Sequence, residues 1–180
     1  MIVRVVPYDA VWSHHFELER GRVEAALGDA VLALHHIGST AIPGILAKPI
    51  IDILLEVSSL AELDRRAPRM EWLGYEAKGE FGIAGRRYFR RDDERGVRTH
   101  QVHAFAIGSE DIVRHLAFRD YIIAHPQIAR LYGELKRQLA ERHPNDSGAY
   151  SEAKDVFVKE HQSKALLWHA SRLTSSCSGP

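Results

Sequence analysis

Two apolar runs flanking a short, turn-rich stretch constrain this chain more than anything else in its sequence. Ala30 to Ile37 and Ile50 to Val57 read as strands, and the near-continuous apolar character of each suits burial on both faces of a sheet. Between them lies a loop, Gly38 to Pro49, with room for one helical turn, because Pro43 and Gly44 prevent a longer helix. The first run ends in His36-Ile37-Gly38-Ser39-Thr40. The second carries Asp52 between Pro49-Ile50-Ile51 and Ile53-Leu54-Leu55.

The other segments can be placed around these strands. Ile2 to Val6 reads as a short strand ended by Pro7. Asp9 caps a helix from Val11 to about Leu27, with Trp12, Phe16, Val23 and Leu27 on its apolar stripe. Ser58 or Ser59 opens a helical segment through Leu73, bent or split at Pro68. Tyr75 to Lys78, Arg86 to Arg91 and Thr99 to Ile107 read as strands, the last two joined by the polar loop Asp92 to Val97. Three helices close the chain: Ser109 to about Ala124, Pro126 to about Arg142, and Tyr150 to about Arg172. This order predicts an α+β (α/β-like) fold, a mixed β-sheet flanked by helices with a helical C-terminal part. It is expected as a single domain over 1–173, with a disordered tail over 174–180.

Composition narrows the class of partner. Lys and Arg number 24, as do Asp and Glu, so a general nucleic-acid coat is not expected, although a local basic groove is compatible with that balance. No apolar run reaches the roughly 18 residues of a membrane helix. No basic stretch with a long apolar core marks a signal peptide, and the single cysteine, Cys177, rules out a disulfide framework within one chain. A cytoplasmic protein with no membrane partner is the expectation.

The chemistry concentrates at two places in the apolar runs. Gly38 permits close approach of the backbone, consecutive amides there can point at an anion, and the Ser39 hydroxyl adds a hydrogen bond. If Thr40 begins a helical turn, its dipole favours phosphate. The plainer alternative is a tight strand-to-helix turn. Asp52 is a carboxylate on a buried strand, and burial demands compensation. It is either half of a metal site completed from elsewhere, or a structural group paired with Lys48 or an arginine. Glu56, four residues on, lies roughly 13 Å away along a strand and cannot share its ion. On the strand Thr99 to Ile107, His100 and His103 fall on opposite faces. His103 is the one expected to face a pocket, as a ligand beside Asp52, as a general acid or base, or as a histidine bonded within the sheet. As a ligand it would shift preference from magnesium toward manganese, zinc or nickel. His36, beside Gly38-Ser39, is a similar candidate, with His35 pointing the other way. In the hairpin, Arg86, Tyr88 and Arg90 share one face, and Arg87, Phe89 and Arg91 the other.

The segment His36 to Asp52 resembles the signature of the GrpB family, which is classed in the nucleotidyltransferase superfamily. The opening Val5-Val6-Pro7-Tyr8-Asp9 with Trp12 and Phe16, the middle Arg86-Arg87-Tyr88-Phe89 and Thr99-His100-Gln101-Val102-His103, and the pieces Phe118-Arg119-Asp120-Tyr121, Tyr132 with Lys136, and Tyr150 with Lys154 follow the family's order over about residues 2 to 170. The resemblance implies a nucleotidyltransferase-like sheet. It also implies a nucleotide or other phosphate-bearing small molecule as ligand. Gly38, Ser39, Thr40, Lys48, Arg87, Arg98, Lys136, Tyr150 and Lys154 would contact its phosphates or base, and Asp52 and His103 would serve catalysis and hold a divalent metal, Mg or Mn. Active members of the superfamily carry two acids two residues apart on this strand, and here the second position is Leu54. Two functions follow: transfer of a nucleoside monophosphate to an acceptor, or a non-catalytic nucleotide- or coenzyme A-binding accessory module, the latter class suggested by relatives fused to dephospho-CoA kinase.

Overall fold

The computed structural model describes residues 3–176. They form two compact units that share the chain by turns. One, the sheet unit, takes residues 9–41 and 49–112. The other, the helical unit, takes residues up to 8, 42–48, and 113 onward.

In the sheet unit, helix α1 (Val11–Leu27) buries Trp12, Phe16, Val23 and Leu27, the stripe the spacing predicts, and with them Glu19. Asp9 accepts a hydrogen bond from the Val11 amide at 2.9 Å and so satisfies one first-turn donor. Strands β1 (Val31–Ile37) and β2 (Ile51–Val57) follow from the two apolar runs. Helix α2 (Leu60–Trp72) starts at a Ser59 side chain that accepts from the Glu62 amide, the serine half of a capping box. It runs unbroken through Pro68, where a bend or split was expected. Short β3 (Glu76–Ala77), β4 (Arg86–Asp92) and β5 (Arg98–Ala106) complete a five-stranded mixed sheet of order β1-β2-β5-β4-β3. The β1–β2 and β4–β5 pairs are antiparallel, while β2 and β5 run parallel.

The register sorts side chains by face. Residues paired across strands point to the same side of the sheet. One face holds Ile53, Leu55, Val102, Ala104 and Phe89, all buried, together with His36, Arg87, Arg91 and His100. Side chains of α1 and α2 meet this face: Phe16 stacks on His36, and Asp64 pairs with Arg87. The opposite face carries His35, Asp52, Leu54, Glu56, Gln101, His103, Tyr88 and Arg86.

The helical unit is built on α4 (Pro126–Arg142) and α5 (Ser147–Ser176), with α3 (Glu110–Ala124) entering it from residue 113. Ile42 and Ile45 join Ala117, Tyr121, Ile122, Ala129, Tyr132 and Ala165 in its core. Of the strand expected over residues 2–6, residue 2 lies outside the described residues, and the rest forms only an isolated antiparallel bridge from residue 6 to Ala47. Helix α5 starts three residues earlier than expected and continues over 174–176. The rest of the expected tail, 177–180 with Cys177, lies outside the described residues.

Candidate functional site

The hinge of the site is the point where β1 ends. Ile37 pairs with Asp52 on β2, and the next residue, Gly38, turns the chain with φ of 70°. A side chain at Gly38 would place its Cβ 2.9 Å from both Cβ and Cγ of Asp52, and closer still to Oδ2. Glycine is therefore required twice, once by the left-handed backbone and once by the carboxylate lying against its Cα. The single 3-10 turn Ser39–Ala41 follows, as the loop composition predicts. Ser39 is half-buried, and its hydroxyl has no hydrogen-bond partner among the described residues.

Thr40 plays a different part. It is 1% exposed, and its hydroxyl donates to the Ile50 carbonyl at 3.0 Å. The same oxygen then accepts from Nε2 of His36 at 2.9 Å, which places the ring proton on that nitrogen. The Thr40 side chain thus ties the two ends of the β1–β2 connection together. His36 belongs to the helix-covered face and stacks on Phe16 with ring centroids 4.9 Å apart. It is His35 that shares the face of Asp52, so the expectation for this histidine pair is reversed by the register Ile37–Asp52. His35 bonds Glu56 at 2.7 Å, a pair that periodicity along the two strands had the signal to reveal.

Around Asp52 the same face holds Gln101 directly across on β5, with His103 two residues further along. Tyr88 pairs with His103 across β4 and β5, their rings 5.3 Å apart. Burial pushes the Tyr88 hydroxyl's pKa up. Among the charges that act on it, the Arg98 guanidinium favours ionisation and the Asp52 carboxylate opposes it. Arg98 reaches the Tyr88 hydroxyl at 3.4 Å and pairs with Asp92. Tyr88 is thus a member of this cluster that sequence reasoning placed on the right face without assigning it a role. Nδ1 of His103 lies 3.3 Å from Nη1 of Arg86; because a guanidinium only donates, Nδ1 is the acceptor and the proton sits on Nε2. Arg86 is 6% exposed and also donates to the Glu80 and Phe81 carbonyls, so it fastens the loop ahead of β4. Arg87 lies on the other face, where both of its terminal bonds go to Asp64, at 2.6 and 2.8 Å. The structure therefore brings Gly38, Ser39, Asp52, His103 and Arg98 to one end and face of the sheet and turns Arg87 away.

A divalent ion at Asp52 meets a sparse donor set. Leu54, in the position of a second acid, is fully buried, and among the described residues no three His, Cys, Asp or Glu side chains gather to hold a metal. One carboxylate matches the way magnesium sits in phosphate sites, where one or two carboxylates act together with substrate oxygens and water.

The remaining expected contacts belong to the helical unit. Nζ of Lys48 lies 4.1 Å from the Tyr150 ring centroid and 3.3 Å from the Ser147 hydroxyl. Lys154 approaches the same ring at 5.9 Å. Tyr150 is 2% exposed, and burial raises its phenol pKa. Lys136 is also 2% exposed; its Nζ stands 4.3 Å from the Tyr132 ring and lacks any hydrogen-bond partner. Burial first, and the charge of Lys154 second, bring its pKa down to about 7.

The mixed five-stranded sheet with its flanking helices is an α+β fold of nucleotidyltransferase-like architecture. A mutant of the Cid1 poly(U) polymerase bound to MgATP shares this fold with a TM-score of 0.53 at 14% identity, over 82% of this chain and 50% of that one. The chain belongs to the GrpB protein family, whose model matches residues 2–164. The crystal structure of conserved protein GrpB from Enterococcus faecalis superposes with a TM-score of 0.88 at 41% identity, covering 92% of this chain and 99% of that one. UPF0157 protein YqkA of Bacillus subtilis is 44% identical over 94% of this chain, which spans 49% of that relative's length. A dephospho-CoA kinase of Mycolicibacterium paratuberculosis is 28% identical over 92% of this chain and 46% of its own. Among the described residues no helix is long and apolar enough to cross a membrane.

Proposed function

We propose that this protein binds a nucleotide or another phosphate-bearing small molecule, with Gly38, Ser39 and Asp52 as the first contacts. The observation that carries the reading is the seating of the Asp52 carboxylate against the Cα of Gly38, beside a serine hydroxyl with no internal partner. Phosphate oxygens would accept from Ser39 and the amides of its turn. A magnesium or manganese ion, if bound, would be held by Asp52 and by the ligand's own phosphates, neutralising charge between them. It would then bind together with the ligand and not ahead of it. His103 would hydrogen-bond such a ligand from the Asp52 face, beside Arg98 and Tyr88. The helical unit holds its own set of candidate contacts for a phosphate-bearing ligand, Lys48, Lys136, Lys154 and Tyr150, which would offer amines and an aromatic ring. Transfer of a nucleoside monophosphate to an acceptor is the enzymatic form of this function.

A second reading has its own support. Leu54 is fully buried where a second carboxylate would stand, which favours a protein that grips a nucleotide or coenzyme A-type molecule without transferring anything. The likeness to a dephospho-CoA kinase makes a coenzyme A precursor a ligand to include in the test.

Calorimetric titration with ATP, GTP, CTP and dephospho-coenzyme A, with and without manganese, separates these outcomes. Metal-dependent binding lost in Asp52→Ala supports the enzymatic form. Binding that survives both metal removal and Asp52→Ala, but weakens in Ser39→Ala, supports the binding module. Absence of binding for every ligand would overturn the proposal in both forms.

A further inference from the structure

We infer that Lys136 is a proton-coupled anion receptor: a phosphate group docks on the amines of α4 and α5, and Lys136 takes up a proton as it arrives. This deepens the proposed reading and rests on it for the phosphate character of the ligand.

The argument starts from an amine in an unusual place. Lys136 is 2% exposed, and among the described residues its Nζ has neither a hydrogen-bond nor an ion-pair partner. A buried ammonium without a counter-ion carries a large desolvation cost, and proteins relieve it by pairing the charge or by shedding the proton. The groups that face it offer no carboxylate. On its own helix, Tyr132 presents its ring at 4.3 Å. From α5, Lys154 adds like charge, and Tyr150 carries a phenol whose pKa burial has raised, so it stays neutral. From the 42–48 segment, Lys48 lies over the Tyr150 ring. Val3 and Leu139 pack with Tyr150 as apolar neighbours. The surroundings of the amine are therefore aromatic and basic.

Such surroundings leave the amine poised between its two states. Burial and Lys154 hold its pKa at about 7, against an ordinary 10.5. A dianionic or more highly charged phosphate supplies the missing counter-charge, restoring the preference for ammonium. The change is protonation alone: the neutral amine accepts one proton from solvent, and no covalent bond to the ligand forms or breaks. Affinity for the ligand is then linked to pH, strongest below about 7 and falling by up to tenfold per pH unit above it. Lys154 and Lys48, whose side chains are less enclosed, add attraction for the anion.

The experiment uses inorganic pyrophosphate as the probe, titrated calorimetrically into the full chain at pH 6.5 and 8.5 in two buffers of different ionisation enthalpy. The wild type is compared with Lys136→Met and Lys136→Arg, and Ser39→Ala is run with ATP in parallel. The ligand's own proton exchange is common to all and cancels in the difference. The expected result at pH 8.5 is close to one more proton taken up per pyrophosphate by wild type than by Lys136→Arg, which stays charged throughout, and binding at least tenfold weaker in Lys136→Met. Equal proton uptake in wild type and both variants would overturn the inference, as would unchanged affinity in Lys136→Met. If those results came with ATP binding that weakens in Ser39→Ala, the phosphate-ligand reading would stand while the role of Lys136 fell. Failure of both probes to bind would remove both.

Discussion

Two cations drawn inward, one in each unit, show how a similar electrostatic problem is solved in opposite ways. In the sheet unit, Arg91 sits beneath α1 and places both terminal nitrogens on the Glu19 carboxylate, at 2.7 and 2.9 Å. The Tyr75 hydroxyl donates to the same carboxylate at 2.9 Å, and Arg91 also reaches the Leu73 carbonyl and His100. Every charge there has a partner built into the fold. In the helical unit, Lys136 is enclosed further, at 2% exposure, and its Nζ has no hydrogen-bond partner among the described residues. A completed pair fixes structure, whereas an uncompensated amine is a charge that the fold leaves for a ligand to answer.

The largest expected effect comes from breaking the completed pair. Glu19→Ala leaves Arg91 buried without its carboxylate and Tyr75 without its acceptor, so we expect a loss of about 4 kcal/mol in urea unfolding. A loss below about 1 kcal/mol would mean that Arg91 is not compensated by Glu19 and that the contrast between the two units is false. Next comes Gly38→Ala. It forces a side chain into a left-handed backbone and against Asp52, and should cost about 3 kcal/mol while abolishing ATP binding. Thermal unfolding and calorimetry on the same sample check both parts.

Lys136→Met is expected to do the reverse of Glu19→Ala and stabilise the protein by about 2 kcal/mol at pH 7. The pH dependence carries the sign. Between the folded pKa of about 7 and the unfolded 10.5, the unfolded chain binds more protons than the folded one, so wild-type stability rises with pH across that window. The advantage of methionine should therefore shrink between pH 7 and 10, as measured by denaturant midpoints.

The smallest effect concerns His100, at the edge of the paired network. Burial, and then the neighbouring Arg91 charge, hold its pKa down at about 4, against an ordinary 6.5. The unfolded chain takes up the proton first as pH falls, so stability is lost between about 6.5 and 4. His100→Gln should flatten that acid limb by about 1 kcal/mol. An unchanged limb would place the acid sensitivity elsewhere.

Much of the sheet could be read from the chain because its signals are local. The runs 30–37 and 50–57 are apolar enough to be strands in any context, and Gly28, Gly38 and Gly74 mark where elements stop. The meeting of Gly38 with Asp52 was legible too, since a glycine before a serine and an aspartate on the next strand share one turn. What escaped depended on register and enclosure. One residue of offset decides whether His35 or His36 shares the face of Asp52, and only the pairing Ile37–Asp52 fixes it. Thr40 looked like a phosphate contact until its hydroxyl was found bonding Ile50 and His36. Arg87 and Arg98 look alike in a basic hairpin, yet alternation along β4 sends Arg87 to Asp64, while the register shift between Arg91 and Asp92 brings Arg98 to Tyr88. Glu19 occupies a core position of the α1 stripe, a conspicuous misfit that pattern reading passed over. The isolation of Lys136 has no sequence signal, because charge in a helix normally reads as solvent-facing.

The chain crosses between its two units more than once, entering the helical one before α1, returning to it at 42–48 within a single strand connection, and entering again after 112. Neither unit is a contiguous stretch of sequence that a protease or a gene fusion could lift out whole. On the ribosome, the residues of the 42–48 segment emerge long before α4 and α5, the helices that share their unit. That piece has only its bridge to residue 6 for most of the chain's synthesis, and truncation from the C-terminal end should strand it without a core.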